Sequence, residues 1–202
     1  MKLVRCLTSV ALLSVVVACG PKEPPKTPAV ASQPPAAFAE SHPRLATQAQ
    51  EVSDAFGRRD FAKVVDLTYP KLVESFGGRE KMIASMAEEM RQMEAEGVVL
   101  LSSSAGAPTQ ILNDSGSIYA VLPTVSKVKA KEGIFQTDGT MIGISADSGA
   151  NWTFLDTGGK DPGQLKILLP NAADKLNLPP DKPPVKISGN ARPGTNPVGA
   201  LG

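Results

Sequence analysis

Apolar positions along residues 44–97 recur with the period of a helix. Over 44–57, Leu45, Ala49, Val52 and Phe56 fall at i, i+4, i+7 and i+11, one helical face, with Ser41 and Pro43 placed for a cap and a first turn. Asp60 stands where it can cap a second helix that sets Phe61, Val64, Val65 and Thr68 on one side. Tyr69-Pro70 ends that helix, because proline cannot continue one without losing a hydrogen bond. Proline opens a helix well, so a short one is predicted over 71–76, stopped by Gly77-Gly78. A longer helix is predicted over 79–96, ending at Gly97. Met82, Met86, Met90 and Met93, with Ile83, form its apolar stripe, and Glu80, Lys81, Glu88, Glu89, Arg91 and Glu94 supply the wet side.

After Gly97 the period shortens. Residues 98–103, 109–113, 117–125, 126–130, 140–145 and 151–156 are short β-branched or aromatic runs divided by Gly, Asn, Asp and Pro, the pattern of strands and turns. Helices followed by a meander predict an α+β fold, with three N-terminal helices packed on one face of a curved antiparallel sheet. Asp161-Pro162 is placed to start one short C-terminal helix whose Leu165, Leu168 and Leu169 dock on the domain before Pro170.

Composition divides the 202 residues. Fourteen of the 18 prolines lie in 20–37 or 158–202, whereas all nine aromatics lie in 38–154. The expected organisation is a leader (1–18), a tether (19–37), one α+β domain (38–157), a helical extension (158–178) and a mostly disordered Pro/Gly-rich tail (179–202). About 120 residues are enough for an independent core.

The leader has a basic start (Lys2, Arg5), an apolar run over 7–17 and then Ala18-Cys19-Gly20, the layout of a secretory signal. The run is shorter than the ~20 residues that span a bilayer. Val16-Val17-Ala18-Cys19 resembles the lipobox of bacterial lipoproteins, which implies that Cys19 is lipidated on sulfur and becomes the new N-terminus. Cleavage as an ordinary secreted protein is the alternative. Cys6 belongs to the discarded segment. The resemblance implies a lipid-anchored protein of the cell envelope facing the periplasm. Gly20 stands where lipoproteins of enteric bacteria retained in the inner membrane carry aspartate, which points toward the outer membrane.

Losing Lys2 and Arg5 leaves 19 basic against 20 acidic side chains, a balance that does not suit a nucleic-acid partner. No cysteine remains beyond the anchor, so neither a disulfide nor a free thiol nucleophile is available to the domain. His42, the one histidine, lies at the tether junction, which argues against a Ser–His–Asp triad, a histidine metal centre or a histidine base within the fold. No glycine loop suited to phosphate precedes a helix, and no cofactor is expected.

Candidate chemistry is sparse. Ser145, Asp147, Gly149 and Trp152 match S-x-D-x-G-x-x-W, the Asp-box pattern, and Asp114-Ser115-Gly116 with Tyr119 repeats it loosely. Asp147 is expected to accept backbone N–H groups across a turn, Gly149 to take a positive φ and Trp152 to pack beneath. The sialidase-like or calcium-binding use of such a motif is the alternative to a structural turn. Met86 and Met90 on the methionine stripe, with Tyr69, Tyr119, Trp152 and Asp156, are candidates for a cavity between helices and sheet. The other reading places them all in ordinary core and core edge.

Residues 60–156 are similar to an uncharacterised group of small bacterial envelope and secreted domains. The marks are Asp60-Phe61, Thr68-Tyr69-Pro70-Lys71-Leu72-Val73, Gly77-Gly78-Arg79-Glu80-Lys81-Met82, Tyr119-Ala120-Val121-Leu122-Pro123, and the run from Ile144 through Trp152 to Asp156. The resemblance implies a cone-shaped fold like that of nuclear-transport-factor-two-like and ketosteroid-isomerase-like domains. The expected function is a non-catalytic domain that holds a small apolar ligand in the cone or another envelope protein on the sheet. An isomerase or cyclase using carboxylates and tyrosines is the alternative, since ketosteroid-isomerase sites pair such groups.

Overall fold

The computed structural model describes residues 42–187; the expected leader, Cys19 and its tether, and the end of the tail lie outside them. Four helices come first: α1 (Pro43–Gly57), α2 (Phe61–Asp66), α3 (Pro70–Ser75) and α4 (Arg79–Ala95). Strands β1 (Val99–Ala105), β2 (Gln110–Asp114), β3 (Ser117–Ala130), β4 (Gly133–Ser145) and β5 (Thr153–Asp156) follow. Helix α5 (Pro162–Leu168), a 3-10 turn (Ala173–Lys175) and β6 (Val185–Ile187) end the described chain. The fold is α+β, with helices ahead of a curled antiparallel half-barrel.

Local chemistry sets the helix boundaries. The Asp60 side chain accepts from the Lys63 amide to cap α2. Asp161 and Gln164 make a reciprocal capping box on α5. Prolines open α1, α3 and α5, where a missing N–H costs nothing. The short helix expected after Tyr69 is thus α3, which brings the N-terminal helices to four.

The sheet is built around one long hairpin. β3 and β4 pair without interruption from Ile118/Ser145 to Ala130/Gly133. β2 and β1 line the outer side of β3 in succession, and β5 and β6 the outer side of β4. The two strands expected over 117–125 and 126–130 are therefore one. Pro123 does not break it, because its carbonyl, accepting from the Gly106 amide, points into the gap where β1 has ended and β2 has not begun. Its missing N–H faces the same gap, where no ladder bond is lost. Residues 133–139, outside any expected strand, extend β4, and the turn-like Asp138-Gly139 is overridden by pairing with Val125 and Thr124. Val185–Ile187, within the stretch expected to be disordered, pairs with β4 at Ile134–Gln136.

Two buried clusters flank the sheet. On one face, Ala120, Leu122, Met141, Trp152 and Phe154 meet Leu45 and Ala49 of α1 and Leu67. On the other, Tyr119, Val121, Ile142, Ile144 and Leu155 meet Leu165, Leu168, Leu169, Ala172 and Leu176 of the C-terminal segment, in a cluster that also takes in Val65, Leu72 and Met82. Each fully buried side chain of this size contributes roughly 1.5–3 kcal/mol. The C-terminal segment is clamped by Gln110, whose amide donates to the Lys175 carbonyl (3.0 Å) and accepts from the Asn177 amide (2.7 Å).

Candidate functional site

The predicted Asp-box forms a closed turn. Asp147 accepts from the Asn151 amide (2.9 Å), the Asn151 side chain (2.7 Å) and the Ser145 hydroxyl (2.8 Å). These donors, the Asn151 amide foremost, hold its carboxyl down to about 2. Gly149 has φ +89°, and a Cβ there would stand 2.6 Å from Nδ1 of His42. Trp152, 1% exposed, donates its indole N–H to the Gly149 carbonyl (3.1 Å), and its backbone amide donates to Gln48 of α1 (3.0 Å). His42 meets the indole edge-on at 5.6 Å between ring centroids. The turn thus seats the start of α1 on the sheet. The loose copy at Asp114-Ser115-Gly116 is the tight β2–β3 turn, with positive φ at Ser115 and Gly116, and Asp114 pairs with Lys175. The Asp147 carboxylate thus bonds to Ser145 and Asn151, within its own loop.

A cleft of about 370 Å³ lies between the helices and the sheet. Its apolar walls come from Val52 and Phe56 of α1, Leu72 and Phe76 around α3, and Met82 and Met86 of α4. Its sheet floor is apolar at Met141 and Phe154 and small and polar at Ser103, Thr124 and Ser126, with Ser126 donating to the Ser103 hydroxyl (3.3 Å). Thr68, just past the end of α2, and Ser53 of α1 turn their hydroxyls back onto those helices, to the Val64 and Ala49 carbonyls. Asp156, Lys160 and Glu89 add charge to the lining. One Asp156 oxygen accepts from the Gly158 amide (2.7 Å).

Of the six residues expected at a cavity, Met86 and Asp156 line this cleft. Trp152 and Tyr119 are core residues on opposite faces of the sheet, held there by the full cover of its closed half. Tyr69 packs at the edge of the second cluster, where burial, with the Glu74 charge adding to it, raises its hydroxyl pKa. Met90 is buried outside the cleft. Sequence periodicity put Val52 and Phe56 on the core face; Val52 packs half-buried against the first cluster and also lines the cleft, Phe56 turns to the cleft, and Ser53 and Ala55 are buried beside them. Phe76, Ser103, Thr124 and Ser126 were not anticipated; Phe76, a large ring at a helix end and 46% exposed, is the one with a recognisable signal.

Among the described residues no group of three or more His, Cys, Asp or Glu is arranged to hold a metal ion, and no helix is long and apolar enough to cross a membrane. The chain matches no family model, no curated protein and no solved structure.

Proposed function

We propose that this is a lipid-anchored protein of the bacterial cell envelope, facing the periplasm, whose domain binds an apolar small molecule without transforming it. The observation that carries the reading is the cleft: apolar walls drawn from three helices over a sheet floor in which Met141 and Phe154 adjoin the small hydroxyl side chains of Ser103, Thr124 and Ser126. Its volume falls within the ~300–1,000 Å³ of ordinary ligand sites, and mostly apolar lining with few polar groups is their usual composition. Met86 and Met82 supply a wall that adapts to irregular shapes. Asp156 enters the lining without Tyr69 or Tyr119, which favours binding over the carboxylate–tyrosine chemistry of an isomerase. The anchor rests on the leader and Cys19, and the proline-rich tether would hold the domain up to roughly 50 Å from the bilayer.

The binding reading is tested by titrating the full chain with N-phenyl-1-naphthylamine, an apolar dye that brightens when it leaves water. Saturable enhancement that Ser126→Phe abolishes while leaving thermal melting unchanged supports the cleft. Enhancement that persists in the plugged variant contradicts it. The anchor is tested by Cys19→Ala, which is expected to end incorporation of labelled fatty acid; continued incorporation overturns it.

A further inference from the structure

Beyond β1's bulge at Leu101, four strands run side by side in the order β1, β3, β4, β6. Cross-strand register puts Val99, Lys129, Ile134 and Ile187 in one row and Ser102, Lys127, Gln136 and Val185 in another two positions away. Because side chains alternate along a strand, the two rows share one face. None of these eight side chains is buried and none belongs to either core cluster; Val99 is 42% and Val185 62% exposed.

Lysines outnumber carboxylates at this end. Lys127 and Lys129 stand on this face and Lys131 in the adjoining turn, and none of the three makes an ion pair among the described residues; Lys186, between Val185 and Ile187, belongs to the opposite face. Against these three lysines stand Glu132, in the hairpin turn, and Asp138, one row inward, which accepts from Gln136 (3.0 Å). A stable soluble domain gains nothing from an exposed sheet face that interleaves branched aliphatics with free lysines. An anionic bilayer satisfies both, since headgroups neutralise the ammonium groups while Val99, Ile134, Val185 and Ile187 reach the acyl boundary.

We propose that this face of the hairpin tip docks on membranes carrying anionic lipid. A polyanion such as a nucleic acid would use the lysines alone, and a second copy of the chain would present the same positive charge to itself. The proposal is independent of the cleft and of the Cys19 anchor.

The test is co-sedimentation of the full chain with vesicles of phosphatidylcholine alone or of equimolar phosphatidylcholine and phosphatidylglycerol. Two variants are compared with the unsubstituted chain, Lys127→Gln with Lys129→Gln, and Val99→Ser with Val185→Ser. The leader is common to all three proteins, so differences among them report the tip. Each lysine near an anionic surface is worth about fivefold in affinity. The lysine variant is therefore expected to bind the anionic vesicles about 25-fold more weakly, and the valine variant also more weakly, both melting like the unsubstituted chain. Unchanged binding by the lysine variant overturns the proposal. Loss with the lysine variant but not with the valine variant points to a polyanion instead and equally overturns it. So does self-association that the valine variant abolishes while vesicle binding is kept.

Discussion

From Tyr119 to Leu122 every side chain of β3 is buried, as is every β4 residue from Thr140 to Ser145, whereas none is buried from Thr124 to Ala130 or from Gly133 to Gly139. Both halves of the hairpin pair in unbroken register and both contain β-branched residues. The difference is cover. The closed half has α1 on one face and the segment from Leu165 to Leu176 on the other. The open half carries the polar part of the cleft floor on one face and the lysine–valine rows on the other. Strand pairing alone therefore does not bury a sheet, and the half left uncovered is the half available for binding.

Substitutions separate the halves by size of effect. Trp152→Ala empties the best-filled site of the closed half and should cost about 3–5 kcal/mol in urea unfolding. Ile142→Ala, on the opposite face, should cost about 2–5 kcal/mol by the same measurement. Gly149→Ala forces a positive φ and drives a methyl against His42, so a loss of about 1–2 kcal/mol is expected from the backbone alone. Asp147 titrates near 2 when folded and at 3.8 ordinarily, so its stabilising contribution is complete above pH ~4 and disappears as the pH falls through 2. Thermal melts across that window should show a decline that Asp147→Asn flattens, and the variant should already melt lower at neutral pH. In the open half, Val99→Ser and Val185→Ser should each stay within about 0.5 kcal/mol of the unsubstituted chain. A loss at Val185 as large as that at Ile142 would erase the distinction between the halves.

What was legible in the sequence follows the same division. Caps such as Asp60 and Asp161, proline starts and the glycine-rich Asp-box act over a few residues, and each emerged where local chemistry put it. The α+β class followed from the change of period at Gly97. The continuity of β3 past Val125, the strand conformation of Asp138-Gly139 and the tail strand were missed because they are fixed by partners distant in sequence. Helical spacing placed Phe56 on an apolar face but not the cavity beside it, since the floor of that cavity, Ser103 and Ser126 included, comes from strands closed much later in the chain. Trp152 and Tyr119, aromatic and near polar neighbours, looked available to a ligand, yet the cover supplied by α1 and the C-terminal segment claims both for the core.

Backbone hydrogen exchange of the full chain tests the two-halves account most directly. Amides at 119–122 and 141–144 should exchange only through global unfolding, tracking its free energy as urea is added, while those at 125–128 and 134–137 should exchange by local opening with little urea dependence. Equal protection and equal urea dependence along the whole hairpin would contradict it.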